Sequence, residues 1–360
     1  MRVALVYDRV NKWGGAERVL LALHEIFPDA PLYTAVYHPE TAPWAKDFQV
    51  IPSFLNKFPL DKRKHEDYPF LMPLAFESFN FDEYDIVISV TSEAAKGIIT
   101  KPKTLHLCYC LTPTHYLWSH YEDYFQNRAF RFLTKPIVKY LRTWDLIAAQ
   151  RPDVYLAISQ NVQNRIKQYY GRDSEVIYPP VNLDQWSPTD EKPEDYFLIV
   201  SRLVSYKRVD LAIEVFNQLQ WSLKIIGDGR EKKRLKKIAR GNIEFLGELT
   251  DGELLSYYQK SRAVIFPHEE DFGLVPLEAQ ASGRPVIAYR KGGALETVVE
   301  GETGLFFEPQ TRAALAKALK RLEKMKFKPE AYQENLAKFS QARFKKEFKK
   351  RVEKEWTKKK

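Results

Sequence analysis

At 360 residues the chain is long enough for two domains, and its 44% apolar and 14% aromatic residues exclude a disordered protein. It opens on a strand pattern and holds no run of about 18 apolar residues, so we expect neither a signal peptide nor a membrane-spanning helix. The net charge is +9, but residues 343–360 hold ten bases and three acids and so carry +7 of it. Because the basicity belongs to the tail, nucleic-acid binding is disfavoured.

The N-terminal half alternates predicted strands with predicted helices. A strand pattern at residues 2–8 is followed by Gly14 and Gly15, and then by apolar positions at helical spacing. Two glycines between a strand and a helix let the backbone approach an anion at the helix N terminus, although a plain tight turn is the alternative. The full dinucleotide fingerprint is missing, which argues against a nicotinamide cofactor. Further elements are predicted as strands at 84–90 and 105–111 and as a helix that Ser159 caps and that ends before Gly171.

The strand at residues 105–111 carries both cysteines of the chain. Cys108 and Cys110 are two residues apart and therefore share a face, where they either pack in the core or form a weak thiol pair. Two cysteines provide no disulfide framework, which fits a reducing compartment.

Two segments are candidates for contact with a membrane. Residues 54–76 mix aromatic residues, prolines and bases, as in a membrane-facing or acceptor-binding insertion, but also as in a loop packed on its own domain. In the tail, Phe344, Phe348, Val352 and Trp356 recur every four residues along a basic helix. Basic amphipathic helices often lie on anionic membranes. We expect Phe344 and Phe348 to dock on the protein and the lysine-rich end to face membrane or solvent.

The C-terminal half repeats the same alternation. A strand at 196–201 is followed by Arg202 and Lys207 and then by a helix, which is an arrangement that binds anions. Ordinary surface bases are the alternative. Later strands end at the glycine turn of Gly227 and near Leu249, whose loop we expect to offer backbone groups to a ligand.

Residues 264–283 form the most informative stretch. A short apolar run ends at a proline, an acidic loop carries Glu270, and a helix carries Glu278 and ends at Gly283. Ligands of open α/β sheets bind where such loops lie, at the carboxyl ends of the strands. Two carboxylates at this spacing can hold different hydroxyls of a polyhydroxylated ligand. The alternative interpretation is a solvated acidic loop followed by a glutamate on the helix surface. A second glycine pair, Gly292-Gly293, follows the next strand.

This alternation on both sides of an aperiodic, proline-rich run predicts two doubly wound, parallel-sheet α/β domains that face each other across a cleft. The predicted boundaries are an N-terminal domain at 1–178, a linker at 179–195, a C-terminal domain at 196–338 and a basic helix at 339–360.

Glu270 and Glu278, with Phe272-Gly273-Leu274 between them, resemble the Glu-x7-Glu motif of retaining GT-B glycosyltransferases of family 4, the group 1 glycosyl transferases. The resemblance extends from the glycines at 14–15 to about residue 310. It implies that the domain at 1–178 lies on the acceptor side, that the domain at 196–338 binds the nucleotide-sugar and that the helix at 339–360 crosses back to the first domain. It implies that Arg202 and Lys207 hold the leaving diphosphate, that Glu270 orients the sugar and that Glu278 holds the ribose. The donor-binding positions that it implies are Glu278, Gly14, Gly15, Gly227, Leu249, Phe272, Gly273, Leu274, Gly292 and Gly293.

The chain departs from the family at two positions. Many relatives have a histidine where Leu111 stands, next to the transferred sugar, and often an arginine where His115 stands. Either His115 takes over the histidine's role from a shifted position or no histidine is used.

The resemblance implies a metal-independent hexosyltransferase that needs no further cofactor. The first donor that we expect is GDP-mannose, and the second is a UDP-sugar. The expected acceptor is a glycan or a polyprenyl- or other lipid-linked glycan, in cell-surface polysaccharide or glycolipid synthesis. The expected location is the cytoplasm, at the inner face of the cell membrane. The alternatives are a GT-B sugar-nucleotide epimerase and a non-catalytic nucleotide-sugar-binding protein.

Overall fold

The computed structural model describes residues 1–58, 61–63, 67–119, 121–124 and 128–360. These residues form two compact units. Unit 1 comprises Met1–Pro180 and Ala342–Lys360, and unit 2 comprises Val181–Gln341. Each unit is built around one parallel sheet covered by helices, which confirms the predicted α/β class.

Among the described residues, the sheet of unit 1 has seven parallel strands in the order β3-β2-β1-β4-β5-β6-β7. They are β1 Val3–Tyr7, β2 Leu32–Thr34, β3 Val50–Pro52, β4 Ile86–Thr91, β5 Leu105–Cys110, β6 Val154–Ala157 and β7 Glu175–Val176. The described residues of unit 2 form six parallel strands in the order β10-β9-β8-β11-β12-β13. They are β8 Phe197–Val200, β9 Leu223–Ile226, β10 Ile243–Gly247, β11 Val264–Phe266, β12 Val286–Tyr289 and β13 Gly304–Phe307.

The helices lie between these strands or after β13 in sequence, and those between strands are expected because two parallel strands need a crossover connection. They are α1 Gly15–Ile26, α2 Met72–Glu77, α3 Tyr121–Tyr124, α4 Arg128–Ala148, α5 Gln160–Tyr170, α6 Val209–Leu219, α7 Lys232–Ile238, α8 Asp251–Lys260, α9 Leu274–Ala281, α10 Ala294–Thr297, α11 Arg312–Leu322, α12 Pro329–Ala337 and α13 Gln341–Lys359. Within the described residues, none of these helices has both the length and the apolar content needed to cross a bilayer.

The order of strands reverses at one place in each sheet. In unit 1 the reversal lies between β1 and β4, and in unit 2 it lies between β8 and β11. Chain connections leave in opposite directions there, which opens a crevice at the carboxyl ends of the strands. The strands beside these crevices are almost wholly buried, as expected for a parallel sheet covered on both faces.

Several predicted local features are confirmed. The Ser159 hydroxyl accepts a hydrogen bond from the backbone N–H of Val162 at 3.0 Å, and Gly171 ends α5 in the left-handed conformation. Cys108 and Cys110 are buried in β5 as thiols. Of the segment 54–76, residues 59–60 and 64–66 lie outside the described residues. The described part packs on unit 1 through buried residues that include Leu55, Met72 and Phe76.

The linker predicted at 179–195 overlaps unit 2 of the structure. Residues from Val181 onward belong to unit 2. Trp186 is buried, its ring meets the Tyr258 ring edge-on at 5.3 Å, and the Gln185 side chain donates a hydrogen bond to Asp251 at 2.8 Å. A buried side chain can therefore anchor an aperiodic segment on a domain, even though residues 190–195 are exposed.

Helix α13 packs on unit 1 through the apolar stripe of the tail. Phe344 and Phe348 are completely buried, and their rings lie 5.8 and 5.7 Å from the ring of Tyr109 in β5. Around this contact the bases of the helix pair with acids of unit 1, Lys345 with Glu25 at 2.6 Å, Lys359 with Asp153 at 2.7 Å and Arg351 with Glu175. The apolar stripe and several bases of the tail therefore form contacts within the protein.

Candidate functional site

A cavity of about 410 Å³ opens in unit 2 at the carboxyl ends of β8, β9, β10 and β11, at the point where the strand order reverses. It is lined by Val200, Ser201, Arg202, Lys207, Ile226, Gly227, Asp228, Glu248, Leu249, Leu254, Phe266, His268, Glu270 and Val275. Five positions predicted from the sequence are in this set: Arg202, Lys207, Gly227, Leu249 and Glu270. The crevice at such a reversal is where ligands of open α/β sheets bind.

The two predicted phosphate-binding bases lie in the loop after β8. Arg202 is exposed, and its guanidinium donates a hydrogen bond to the Tyr206 hydroxyl at 2.7 Å. A single 3₁₀ turn at Ser205–Lys207 then places Lys207 just before α6, with only 4% of its surface exposed. The loop thus offers one planar, accessible guanidinium and one buried ammonium to the same cavity.

Lys207 is held by two side chains from the loop after β11. Its Nζ lies 3.1 Å from His268 Nε2 and forms an ion pair with the Glu270 carboxylate. His268 is 1% exposed and its ring packs on Phe266, with ring centroids 4.2 Å apart. Lysine, histidine and glutamate therefore form one polar cluster, in which Lys207 and His268 are buried and Glu270 is partly exposed. In sequence, 61 residues separate Lys207 from His268.

Burial governs the charge of this cluster. It lowers the pKa of Lys207 well below its ordinary value, and the Arg202 guanidinium lowers that pKa further. Burial, followed by the positive charge of Lys207, also lowers the pKa of His268, so the imidazole is neutral at pH 7. Its Nε2 then accepts a hydrogen bond from Lys207 Nζ, while His268 Nδ1 has no hydrogen-bond partner among the described residues.

Glu278 lies deeper in the unit than Glu270. It is 6% exposed within α9, and its carboxylate accepts a hydrogen bond from the Tyr258 hydroxyl of α8 at 2.9 Å. Leu254, one turn before Tyr258 on α8, lines the cavity, whereas Glu278 does not. The ribose contact implied by the family resemblance stays a prediction.

The glycines near the acidic loop hold its backbone in place. A Cβ on Gly292 would lie 2.4 Å from the Glu270 carbonyl oxygen, and one on Gly293 would lie 2.1 Å from that of Phe272. Gly293 N–H also donates to the Glu270 carbonyl at 2.8 Å. Gly273 adopts a left-handed φ of 100° just before Leu274, where α9 begins. Because Gly292, Gly293 and Phe272 do not line the cavity, their predicted donor contacts stay predictions.

Close packing of the backbone requires a glycine at position 227. Its φ is 124°, and a Cβ there would lie 2.1 Å from the backbone oxygen of Ser201. The turn after β9 can therefore approach the loop after β8 closely enough to form one wall of the cavity.

The predicted residues of unit 1 lie at the carboxyl end of its own sheet. Gly14 precedes α1 and Gly15 is its first residue. The Glu17 carboxylate, in the first turn of α1, is buried and accepts a hydrogen bond from the Tyr7 hydroxyl at 2.6 Å. His115 follows β5, and its Nδ1 lies 2.7 Å from the Ser119 hydroxyl. A role for these three predicted residues, Gly14, Gly15 and His115, in binding donor or acceptor stays a prediction.

Two family models together match residues 13–339 of the chain, and their ranges overlap at residues 182–185. The model described as "Glycosyltransferase Family 4" matches residues 13–185, and the one described as "Glycosyl transferases group 1" matches residues 182–339. The chain belongs to the family 4 glycosyltransferases. The region matched by the group 1 model contains every residue that lines the cavity of unit 2.

Known proteins resemble this chain in sequence and in fold. An uncharacterized glycosyltransferase of Methanocaldococcus jannaschii is 31% identical over 166 residues, which are 45% of this chain and 47% of that protein. The O-antigen chain mannosyltransferase RfbU of Salmonella typhimurium is 29% identical over 218 residues, 57% of each chain. HepE of Anabaena, in complex with UDP, matches 98% of this chain and 100% of its own with a TM-score of 0.74 at 17% identity.

The chain spans about half the length of the curated relatives that it matches. The structural likeness covers nearly the whole chain and confirms the predicted GT-B fold class.

Sequence reasoning missed His268 and Tyr258, the two side chains that hold Lys207 and Glu278. His268 stands only two residues before Glu270, and this was the available signal. Tyr258 occupies an ordinary helical position, and nothing in its local pattern indicates a partner. In the part of the chain that the structure describes, no group of three or more His, Cys, Asp or Glu side chains is arranged to hold a metal ion.

Proposed function

We propose that this glycosyltransferase moves a hexose from a nucleoside-diphosphate sugar to a hydroxyl of a glycan or a lipid-linked glycan. One observation carries the proposal. Arg202, Lys207 and Glu270, from loops after two different strands, line one cavity at the strand reversal of unit 2. A planar guanidinium, an ammonium and a carboxylate in one crevice suit a ligand with both phosphates and hydroxyls.

The diphosphate is the part of the donor that gains negative charge as the sugar leaves. Arg202 offers a fork of N–H donors to its oxygens, and Lys207 offers a point charge from a buried position. Charges fixed in advance and partly shielded from water stabilise such a developing charge more than mobile surface bases do. These two cations are therefore the main catalytic groups in this proposal.

The two glutamates orient the donor. Glu270 lines the cavity and accepts from the sugar hydroxyls, and Glu278, fixed by Tyr258, accepts from the ribose hydroxyls. Neither needs to transfer a proton in this scheme.

In the transfer step, the bond between the anomeric carbon and the diphosphate oxygen breaks. The acceptor oxygen forms a bond to the same face of that carbon, and its proton moves to the departing diphosphate oxygen. The configuration is retained, and the cations take the role that a metal has in other transferases. His115 is a candidate for contacting the sugar or acceptor in unit 1.

Mannose from GDP-mannose is the first donor that we propose, and a UDP-sugar is the second. The name of the Salmonella relative, a mannosyltransferase of O-antigen chains, supports the first, and the UDP complex of the Anabaena protein supports the second. A cell-surface glycan assembled at the inner face of the membrane is the proposed setting.

Thermal melting with GDP, UDP and ADP tests the donor class. A nucleotide at about 100 times its dissociation constant adds roughly 2.7 kcal/mol to the free energy of unfolding, so one nucleotide should raise the melting temperature clearly. Arg202→Ala and Lys207→Ala should remove that shift. Arg312→Ala, which removes an exposed arginine of unit 2 outside the cavity, should keep it.

The transfer itself is tested with GDP-mannose and UDP-glucose and a panel of glycan and lipid-linked acceptors. Product that depends on the acceptor, lost in the Arg202 and Lys207 variants, supports the proposal. Wild-type transfer rates in both variants would overturn the assigned roles. Release of an altered sugar without acceptor would indicate an epimerase, and binding without turnover would indicate a binding protein.

A further inference from the structure

Helix α4 has apolar residues on two opposite faces. The inner face carries the buried side chains of Val138 and Leu141, which pack with Leu117. It also carries Asp145, which is 1% exposed and pairs with the equally buried Lys96 at 2.5 Å. This face is fully occupied by unit 1.

The outer face of α4 is apolar as well. Phe132 and Leu133 are 77% and 73% exposed, and Ile137, Tyr140 and Ile147 are also exposed. At 100° per residue these five side chains fall within an arc of about 140°. A helix on the surface of a domain normally turns one apolar stripe to the core and a polar face to water. A second, exposed apolar face is typical of an interaction surface.

Positive charge accompanies this face. The stretch 128–144 contains five bases, Arg128, Arg131, Lys135, Lys139 and Arg142, and no acid. Lys135 and Lys139 are exposed one turn apart, and the helical period places them beside Phe132 at one edge of the apolar arc. A partner that covers the outer face must therefore be apolar and also carry negative charge.

We infer that the outer face of α4 docks unit 1 on a bilayer that contains anionic lipids. Phe132, Leu133 and Ile137 enter the boundary between headgroups and acyl chains, as the apolar side of an interfacial helix does. Lys135 and Lys139 lie among the anionic headgroups, where each base attracts the surface. Tyr140 has the amphipathic ring that is enriched at membrane interfaces.

The other surfaces and occupants fit less well. The apolar stripe of α13 is buried against Tyr109 and cannot enter a bilayer while the helix is docked. A second copy of the chain would place the same acid-free face against Lys135 and Lys139, so their charges would meet no opposite charge from that helix.

Flotation of the full chain with vesicles tests the inference. Vesicles of phosphatidylcholine alone are compared with vesicles that contain 30% phosphatidylglycerol. We expect binding to the anionic vesicles, with an affinity that falls as salt is raised. Lys135→Gln with Lys139→Gln should weaken binding roughly 30-fold, because each base near the surface contributes about a factor of five. Phe132→Ser with Leu133→Ser should weaken it more than tenfold.

Matched variants separate this surface from the rest of the chain. Lys349→Gln with Lys350→Gln removes the same charge from two exposed positions of α13, and Leu295→Ser replaces a leucine of unit 2 that is 51% exposed. Both should bind vesicles as the wild type does. Unchanged melting temperatures in all four variants show that folding is intact.

Three results would overturn the inference. The wild type fails to float with anionic vesicles, the α13 variant loses as much binding as the α4 variant, or sedimentation shows a dimer that Phe132→Ser with Leu133→Ser dissociates. The last result would assign the surface to a second copy of the chain. None of these measurements uses transfer activity, so the test is independent of the proposed function.

Discussion

At the scale of single residues, Lys207 is an ionisable side chain that the fold keeps almost out of water. Burial lowers its pKa, and its neighbours are the Glu270 carboxylate, the neutral imidazole of His268 and the guanidinium of Arg202. A diphosphate bound beside it would favour the charged form and raise that pKa again. Nucleotide binding should therefore be linked to protonation of Lys207.

We predict that nucleoside diphosphate binding takes up a proton and weakens as pH rises. The pKa of Lys207 is lowered in the free protein and is higher in the complex. At a pH between these two values, only the complex carries the proton on Lys207, so binding takes up a proton and a rise in pH opposes it. Titration calorimetry in two buffers of different ionisation enthalpy measures the uptake. In Lys207→Arg the guanidinium stays charged and the uptake should vanish. Equal uptake in this variant would assign the proton to another group.

His268 is predicted to hold Lys207 in place. His268→Leu removes the acceptor at 3.1 Å from Lys207 Nζ and should lower nucleotide affinity about tenfold, because a buried donor is left unsatisfied. His268→Gln keeps an acceptor within reach and should retain most of the affinity. Calorimetry on both variants distinguishes a hydrogen-bonding role from simple filling of space, which would make the two variants equally weak.

His106 makes a pH-dependent contribution to stability that is separate from the site. It is buried in β5, its Nε2 lies 2.9 Å from the Ser89 hydroxyl, and burial lowers its pKa to about 3. Since its pKa in the unfolded chain is about 6.5, the unfolded state binds the proton first as pH falls. We predict a loss of about 2 kcal/mol in unfolding free energy between pH 7 and pH 5. Urea titration of the wild type and of His106→Gln measures the difference, and an equal loss in both would contradict the assignment.

At the scale of elements, the loop between β11 and α9 is shaped by the turn after β12. Gly293 has an ordinary φ, so only the close approach of the Phe272 carbonyl requires a glycine there. The position of Glu270 is thus determined by a neighbouring loop that itself makes no contact with the cavity.

Gly293→Ala should displace the acidic loop. Its Cβ would lie 2.1 Å from the Phe272 carbonyl oxygen, so we expect a loss of about 1–3 kcal/mol in stability and a tenfold or greater loss of nucleotide affinity. Gly252→Ala is the control, because a Cβ there meets nothing within 4 Å and an alanine favours α8. Unchanged nucleotide binding in Gly293→Ala would show that the loop can shift without cost to the site.

At the scale of the whole molecule, unit 1 is assembled from both ends of the chain. Helix α13 follows unit 2 in sequence, yet its apolar side chains complete the core beside β5. The stability of unit 1 therefore depends on a helix that is far in sequence from the rest of that unit.

Phe344→Ala should destabilise unit 1 and spare unit 2. Removing this buried ring costs about 3–5 kcal/mol, and hydrogen exchange should accelerate in β5 much more than in β8. The nucleotide-induced melting shift of unit 2 should remain. Lys349→Ala, on the exposed side of the same helix, should leave exchange unchanged. Equal acceleration in both sheets would mean that the two units unfold together.

The sequence by itself determined the alternation of strands and helices, the α/β class, the cap at Ser159 and the loops that carry Arg202, Lys207 and Glu270. These are local features, because apolar periodicity and glycine or serine at chain turns report the conformation of a few consecutive residues. The position of the cavity also followed, since loops after parallel strands meet at one edge of the sheet.

Only the tertiary structure decided which side chains meet. The contacts of Lys207 with His268, of Glu278 with Tyr258 and of Trp186 with Tyr258, and the docking of α13, join distant parts of the chain. The outer face of α4 is a further example. An apolar pattern indicates that a side chain favours burial, but it does not identify the partner that covers it. Burial against a specific partner is a property of the folded chain, and local sequence carries little information about that partner.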